Sequence, residues 1–356
     1  VTLSTSGAQL VWPQAEGRFW NREGELCTYT FESAATECVI APDNFYGYPY
    51  AFYWSPDDAY VAFTENPIQQ GYESDIWVFA PANQAYINLT DDGVDGDWVA
   101  EEPGSYTLDY LPMWHHRDNL IYFWRSIPNP DFPLSVTLSI MRVSPEIGEA
   151  ETVRDLQDMR GGELIWFNDA YWFMDGVSAL SPDGRHVAVL TISEEADTGM
   201  STSDGLWLVD VEDVSAPPRH LVTVDDFQMA NPDWSAAPLV PSGLSWQANS
   251  ERLVVLAQNA DQQEPLVVLY DVNIADGALT PVVDFSGLPD IEAYTAQPDD
   301  VGIPPRWYSP WTASMSPEND KLLMYQNLAN VAGLMASPLP PTGDLPGLDY
   351  ESELTD

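Results

Sequence analysis

Cations are what this sequence has least of. Its 356 residues include 12 lysines and arginines, Lys321 being the sole lysine, against 56 aspartates and glutamates, for a formal net charge of −44. A chain so short of bases cannot displace counterions from nucleic acid or hold an anionic bilayer, and both are excluded as partners. Charged residues amount to 19%, below the usual quarter, so the acidity reflects missing bases as much as added acids. Long apolar runs are missing too, and nothing approaches the roughly eighteen residues of a membrane-spanning helix. Aromatic residues are plentiful instead: 14 Trp, 17 Tyr and 12 Phe supply enough apolar surface for a large core, which sets the chain apart from a disordered acidic tail. It begins at Val1 without a methionine or a signal-type stretch, the pattern of a mature or trimmed chain.

There are two cysteines, Cys27 and Cys38. If Glu32 and Ser33 form the tip of a hairpin, the pair face each other across it at a separation that a disulfide spans. The alternative is two free core thiols. A bridge implies an oxidising compartment, and with it a secreted, cell-surface or periplasmic location.

One phrase recurs along the chain: a large apolar residue, a Ser-Pro-Asp-Gly-like turn, two spacers and a β-rich run. Clear copies start at Trp54, Leu180 and Met315, degraded ones at Trp114 and Trp246, and the N-terminus enters in register at Leu3. The anchors at 3, 54, 114, 180, 246 and 315 are 51 to 69 residues apart. Ser and Asp bond the backbone ahead of them, Pro fixes one dihedral and Gly or Asn takes positive φ, so each copy is a tight turn between two strands. Third strands follow, such as Ser74–Phe79, Gly205–Asp210 and Pro265–Asp271, and short fourth strands near 85–90, 220–224 and 279–283. Four antiparallel strands repeated radially make an all-β fold, a six-bladed β-propeller, with seven blades the alternative count. The propeller is expected over 1–336 and a Pro/Gly-rich acidic tail or linker over 337–356.

The Trp/Leu-Ser-Pro-Asp-Gly phrase, the Ile/Leu-Trp-Val strand and the Leu-Thr ending of Asn88-Leu89-Thr90 resemble the TolB-type propeller family, also of the WD type in its repeated blades, over about residues 3 to 336. The resemblance implies architecture far more than activity, because such propellers serve as protein-binding modules, sugar-binding or lyase scaffolds and gating domains of serine peptidases.

No Gly-x-Ser-x-Gly elbow is present, and the four histidines all precede the last 130 residues, so the catalytic half of a serine peptidase is absent. The chain is therefore expected to have no catalysis of its own: an exported module that binds protein partners or assembly subunits. The alternative is a carbohydrate- or cation-binding, lyase-type propeller with its site at the central channel. Calcium is the one cofactor considered. Asp91, Asp95, Asp97 and Glu102 occupy positions one, five, seven and twelve of a loop with Gly96 at six, as calcium loops do, although Gly93 at three supplies no ligand; the competing reading is a plain acidic connection. His115-His116 stands where Ser-Pro is usual, with no third metal ligand nearby in sequence. For a partner face the candidates are aromatic residues that precede the anchors: Tyr46, Tyr48, Tyr50, Trp166, Tyr171, Trp172, Trp307 and Trp311. They belong to connections expected on one face, together with the long loops 65–74, 126–135 and 193–205.

Overall fold

The structure is a computed structural model, and it describes residues 2–14, 24–45, 48–66, 74–93, 107–129, 132–156, 178–191, 205–230, 239–259, 267–284, 311–315, 321–327 and 332–338. The described residues are almost entirely β. Two compact units divide the chain, 1–220 and 221–356.

The first unit holds four four-stranded antiparallel sheets, each in sequence order from first strand to last. They are β1 (Thr2–Leu3) to β4 (Ala35–Ile40), β5 (Tyr48–Trp54) to β8 (Ala85–Asn88), β9 (Leu108–Trp114) to β12 (Glu151–Asp155), and β13 (Ser178–Leu180) to β16 (Arg219–Thr223), the last of which straddles the unit boundary. First strands lie side by side, β1 next to β5, β5 next to β9 and β9 next to β13. This is the radial arrangement of propeller blades, and the second, third and fourth anchors, Trp54, Trp114 and Leu180, end the innermost strands of their sheets. In the second unit, β17 (Leu239–Trp246) to β20 (Leu279–Asp284) form a fifth four-stranded sheet, and β21 (Trp311–Met315) to β23 (Ala332–Pro338) a three-stranded one. A short helix, α1 (Val224–Ala230), packs against β17 and β20, with Phe227 edge-on to the buried Tyr270.

Apolar seams join neighbouring sheets of the first unit. Val11, Leu26 and Phe45 pack on Trp54, Phe63 and Trp77 between the first and second sheets. Ile76 and Val78 meet Trp114, Ile121 and Phe123 between the second and third, and Tyr110, Trp124 and Ile140 meet Leu180, Val187 and Val209 between the third and fourth. Both faces of the second and third sheets are covered in this way, so their second and third strands read as continuous apolar runs instead of alternating ones. Each seam also carries an indole hydrogen bond to the adjacent blade: Trp54 Nε1 donates to Thr2 O (3.4 Å), Trp114 Nε1 to Tyr53 O (2.8 Å) and Trp124 Nε1 to Ser178 Oγ (2.9 Å).

The recurrent phrase does form the turn between first and second strands. In four copies the residue four places after the anchor donates its N–H to the carbonyl of the residue one place after it: Gly7 to Ser4, Asp58 to Ser55, Gly184 to Ser181 and Ser250 to Gln247. All four donors have positive φ. Asp58 and Ser250 thus adopt the conformation expected of Gly or Asn, and Asp57 and Ser55 offset the strain by clasping the turn, Ser55 Oγ donating to Asp57 Oδ1 at 2.6 Å. In the His115-His116 copy the positive φ moves one residue on, to Asn119.

Successive turns in the first unit are also linked. The Asp58 carboxylate accepts the N–H groups of Thr5 (2.7 Å) and Ser6 (3.0 Å), Asn119 Nδ2 donates to Asp57 Oδ2 (3.3 Å), and the buried His115 ring lies so close to Gly184 that a Cβ there would collide with it.

Candidate functional site

Because strand order follows sequence and neighbours are antiparallel, connections alternate between the two ends of each sheet. The anchor turns occupy one end. At the other end the first strands begin, the fourth strands finish, and the second-to-third connections emerge. A cluster of buried polar residues lies there, at the seam between the second and third sheets.

Ser74 and Leu108 form a parallel bridge across that seam. Asp109 N donates to Ser74 O (2.9 Å), Ser74 Oγ donates to Asp109 O (3.2 Å), and Leu111 N donates to Thr64 Oγ1 (3.1 Å). Leu111 has φ 53°, at a register shift in β9 between its pairings with Tyr122 and Trp124. A leucine in the left-handed region is a strained residue. The bulge turns the start of β9 toward the second sheet, and this brings Asp109 to the seam.

Asp109 is fully buried (0% exposed), and Arg125 on β10 (Ile121–Asn129) grips it in a bidentate pair, Nε to Oδ1 at 2.7 Å and Nη2 to Oδ2 at 2.6 Å. The Arg125 side chain keeps 20% of its surface. Next to the pair is a second buried carboxylate, Asp75, whose oxygens accept Thr90 Oγ1 (3.0 Å) and Asn88 Nδ2 (2.7 Å). Thr90 Oγ1 in turn accepts Ile76 N at 2.9 Å. Burial pushes the Asp109 carboxyl up to about 6, against the hydrogen bonds and charge of Arg125 and with the Asp75 charge adding to the rise. Burial alone would lower Arg125, but Asp109, Asp75 and Asp92 hold its proton more firmly than usual. The result is one fixed guanidinium among three carboxylates, one of which, Asp109, burial holds well above its usual range.

The residues expected from sequence fall variously. Cys27 and Cys38 are disulfide-bonded, on β3 (Glu25–Thr30) and β4. Asp91 accepts Gly93 N at 2.8 Å in a local turn, while Asp95, Asp97 and Glu102 lie outside the described residues, as do Tyr46, Trp166, Tyr171, Trp172 and Trp307. Tyr48 and Tyr50 belong to the backbone of β5, at the end of the sheet nearest the Asp109 seam, where Tyr50 pairs with Thr64. Trp311 opens β21 in the second unit. Asn88, in the Leu-Thr ending Asn88-Leu89-Thr90, spends its amide nitrogen on Asp75. His115 Nδ1 accepts Asp118 N (3.2 Å) and belongs to its own turn. Asp75, Asp109 and Arg125 were not anticipated. The trace they leave in sequence is a lone arginine inside Ile121-Tyr-Phe-Trp-Arg125-Ser, because a cation in an apolar strand needs a buried carboxylate.

No protein-family model matches the chain, and no curated protein does. Solved structures do. A puromycin hydrolase matches with a TM-score of 0.52 at 13% identity over 94% of this chain and 44% of its own. An oligogalacturonate lyase in complex with manganese gives 0.47 at 14% identity, covering 95% and 88%. A chain of a nidogen/laminin complex gives 0.46 at 10%, covering 90% and 88%. The chain spans less than half of the puromycin hydrolase. The shared feature is the propeller-type fold, in line with the five four-stranded antiparallel sheets. The expectation that this chain has no catalysis of its own is overturned as a deduction from architecture, since a solved structure that shares the fold is a puromycin hydrolase. Lack of a nucleophile elbow argues against serine-hydrolase chemistry alone and bears on no other chemistry.

Proposed function

We propose that the chain is an exported, ligand-binding propeller of the carbohydrate- or cation-binding, lyase type, with its site on the end of the first unit where the inner strands begin. The observation that carries this is the Asp109–Arg125 pair. A buried carboxylate fixes the guanidinium in one orientation, and an oriented guanidinium is suited to a planar carboxylate such as that of an acidic sugar. A polyanion approaching a molecule of charge −44 is repelled at long range. Divalent cations relieve that repulsion and bridge sugar to protein carboxylates, so binding should depend on calcium or manganese. The acidic connection that starts at Asp91 and includes Asp95, Asp97 and Glu102 is the proposed cation-holding loop. The disulfide supports an oxidising location.

Calorimetric titration with oligogalacturonate, with a neutral oligosaccharide and with each cation alone tests the reading. The expected result is saturable uronate binding only with the divalent ion present, weakened at least tenfold in Arg125→Lys, together with slow growth of the absorbance of an unsaturated product if elimination occurs. Absence of heat with every sugar and both cations would reject it. A second reading, a protein partner on the same end, is supported by Tyr48 and Tyr50 at the start of β5; a sugar-independent complex abolished by Tyr48→Ala would select it.

A further inference from the structure

The outer half of the first sheet carries ligating groups that the Asp109 site does not use. Glu25 and Cys27 on β3 (Glu25–Thr30) and Cys38 on β4 offer one carboxylate oxygen and two sulfurs, all within 4.8 Å of one another, the one such group of three among the described residues. Register explains the grouping. Cys27 pairs directly with Cys38, and Glu25 and Cys27 are two residues apart, so they share a face. Gln14 on β2 (Gln9–Gln14) pairs with Glu25 and brings its side-chain oxygen to 3.5 Å from Cys27 Sγ. Three adjacent strands thus present two sulfurs and two oxygens on one patch.

We propose that this patch, once its disulfide is reduced, is a binding site for a single divalent cation of the zinc and cadmium class. Cys27 and Cys38 thiolates and the Glu25 carboxylate are its ligands, and Gln14 Oε1 stands in reach of the fourth position. Two thiolates at about 2.3 Å from one tetrahedral ion lie roughly 3.8 Å apart. Cys27 and Cys38 are directly opposed with Cα atoms 4.0 Å apart, so side-chain rotation alone brings their sulfurs to that separation.

The reductant is a small dithiol. Cys38 is exposed and Cys27 is fully buried, so the incoming thiolate attacks Cys38 Sγ. The S–S bond breaks and its electron pair leaves on Cys27 sulfur, which takes up a proton. The second thiol of the reductant then attacks its own sulfur in the mixed disulfide and expels the Cys38 thiolate, leaving a cyclic disulfide. Two electrons and two protons pass to the protein, and the cation later releases the thiol protons to solvent. Disulfide and metal are then alternative cross-links between the same two strands.

To test this, the whole chain is reduced with a dithiol, freed of it without oxygen, and titrated with cadmium while the thiolate-to-metal charge-transfer absorption is followed. One ion per chain is expected, with no band in the oxidised protein, none in Cys38→Ser, and affinity at least tenfold weaker in Glu25→Gln. Near-ultraviolet circular dichroism of the reduced protein should match that of the oxidised one. Each of three results would overturn the proposal: an unaltered affinity in Glu25→Gln, one ion shared by two chains, or loss of the dichroism on reduction.

Discussion

Arg125 is the residue whose replacement separates a structural pair from a merely decorative one. Removing a partner from a buried ion pair leaves an uncompensated charge, which costs about 3–5 kcal/mol, whereas replacing both partners with apolar groups is often close to neutral. Arg125→Leu should therefore lower the urea midpoint steeply, and Asp109→Leu with Arg125→Leu should recover most of the loss. If the double variant is as unstable as the single one, the pair is not what sets the seam. Gly184 poses a similar test on the opposite end. Its φ of 76° and the His115 ring behind it exclude a side chain for two separate reasons. Gly184→Ala should cost about 1–3 kcal/mol by combined strain and overpacking, and His115→Ala should restore only the steric part, as thermal melts of the three variants would reveal.

At the scale of elements, the anchor turns were the most legible part of the sequence. Ser-Pro-Asp-Gly fixes a local conformation from within five residues, so its position and type can be read without tertiary knowledge, and strands such as Gly205–Asp210 followed from the apolar runs behind it. The Asp109 cluster was not legible for the opposite reason: Asp109 and Arg125 come from two strands, Asp75 and Thr90 from just beyond the ends of two others, and what unites them is the bulge at Leu111. Leu-Asp-Tyr-Leu-Pro-Met-Trp does not announce a left-handed leucine. The turn-to-turn contacts were equally hidden, since Asp58 reads as a turn residue whether or not it caps the preceding blade. Asp58→Ala should cost about 1 kcal/mol through the two N–H groups it leaves without an acceptor. The loss should register as faster amide exchange at Thr5 and Ser6, with little change in the third sheet.

For the molecule as a whole, charge and protonation pull in one direction above pH 6 and in another below pH 4. A carboxyl raised to about 6 in the fold, as Asp109 is, stabilises the folded state fully below its unfolded value of about 3.9 and loses that contribution as pH rises through 6. Asp58, Asp183 and Asp210 go the other way; although burial opposes it, hydrogen bonds hold each below its usual value. Their contribution is present above the unfolded value and disappears as pH falls through their lowered values. The melting temperature should therefore peak near about pH 4 and decline toward pH 6, and raising sodium chloride at pH 7.5 should lift it by screening a net −44. A melting temperature insensitive to salt, or one that climbs steadily from pH 5 to 8, would contradict this. The three seam tryptophans give the molecule something further. Trp54, Trp114 and Trp124 each place one indole proton on a different blade boundary, and such a proton exchanges with solvent only when its own boundary opens. Three resolved indole resonances in deuterated water would act as three independent clocks, timing the opening of successive boundaries within a single undivided chain.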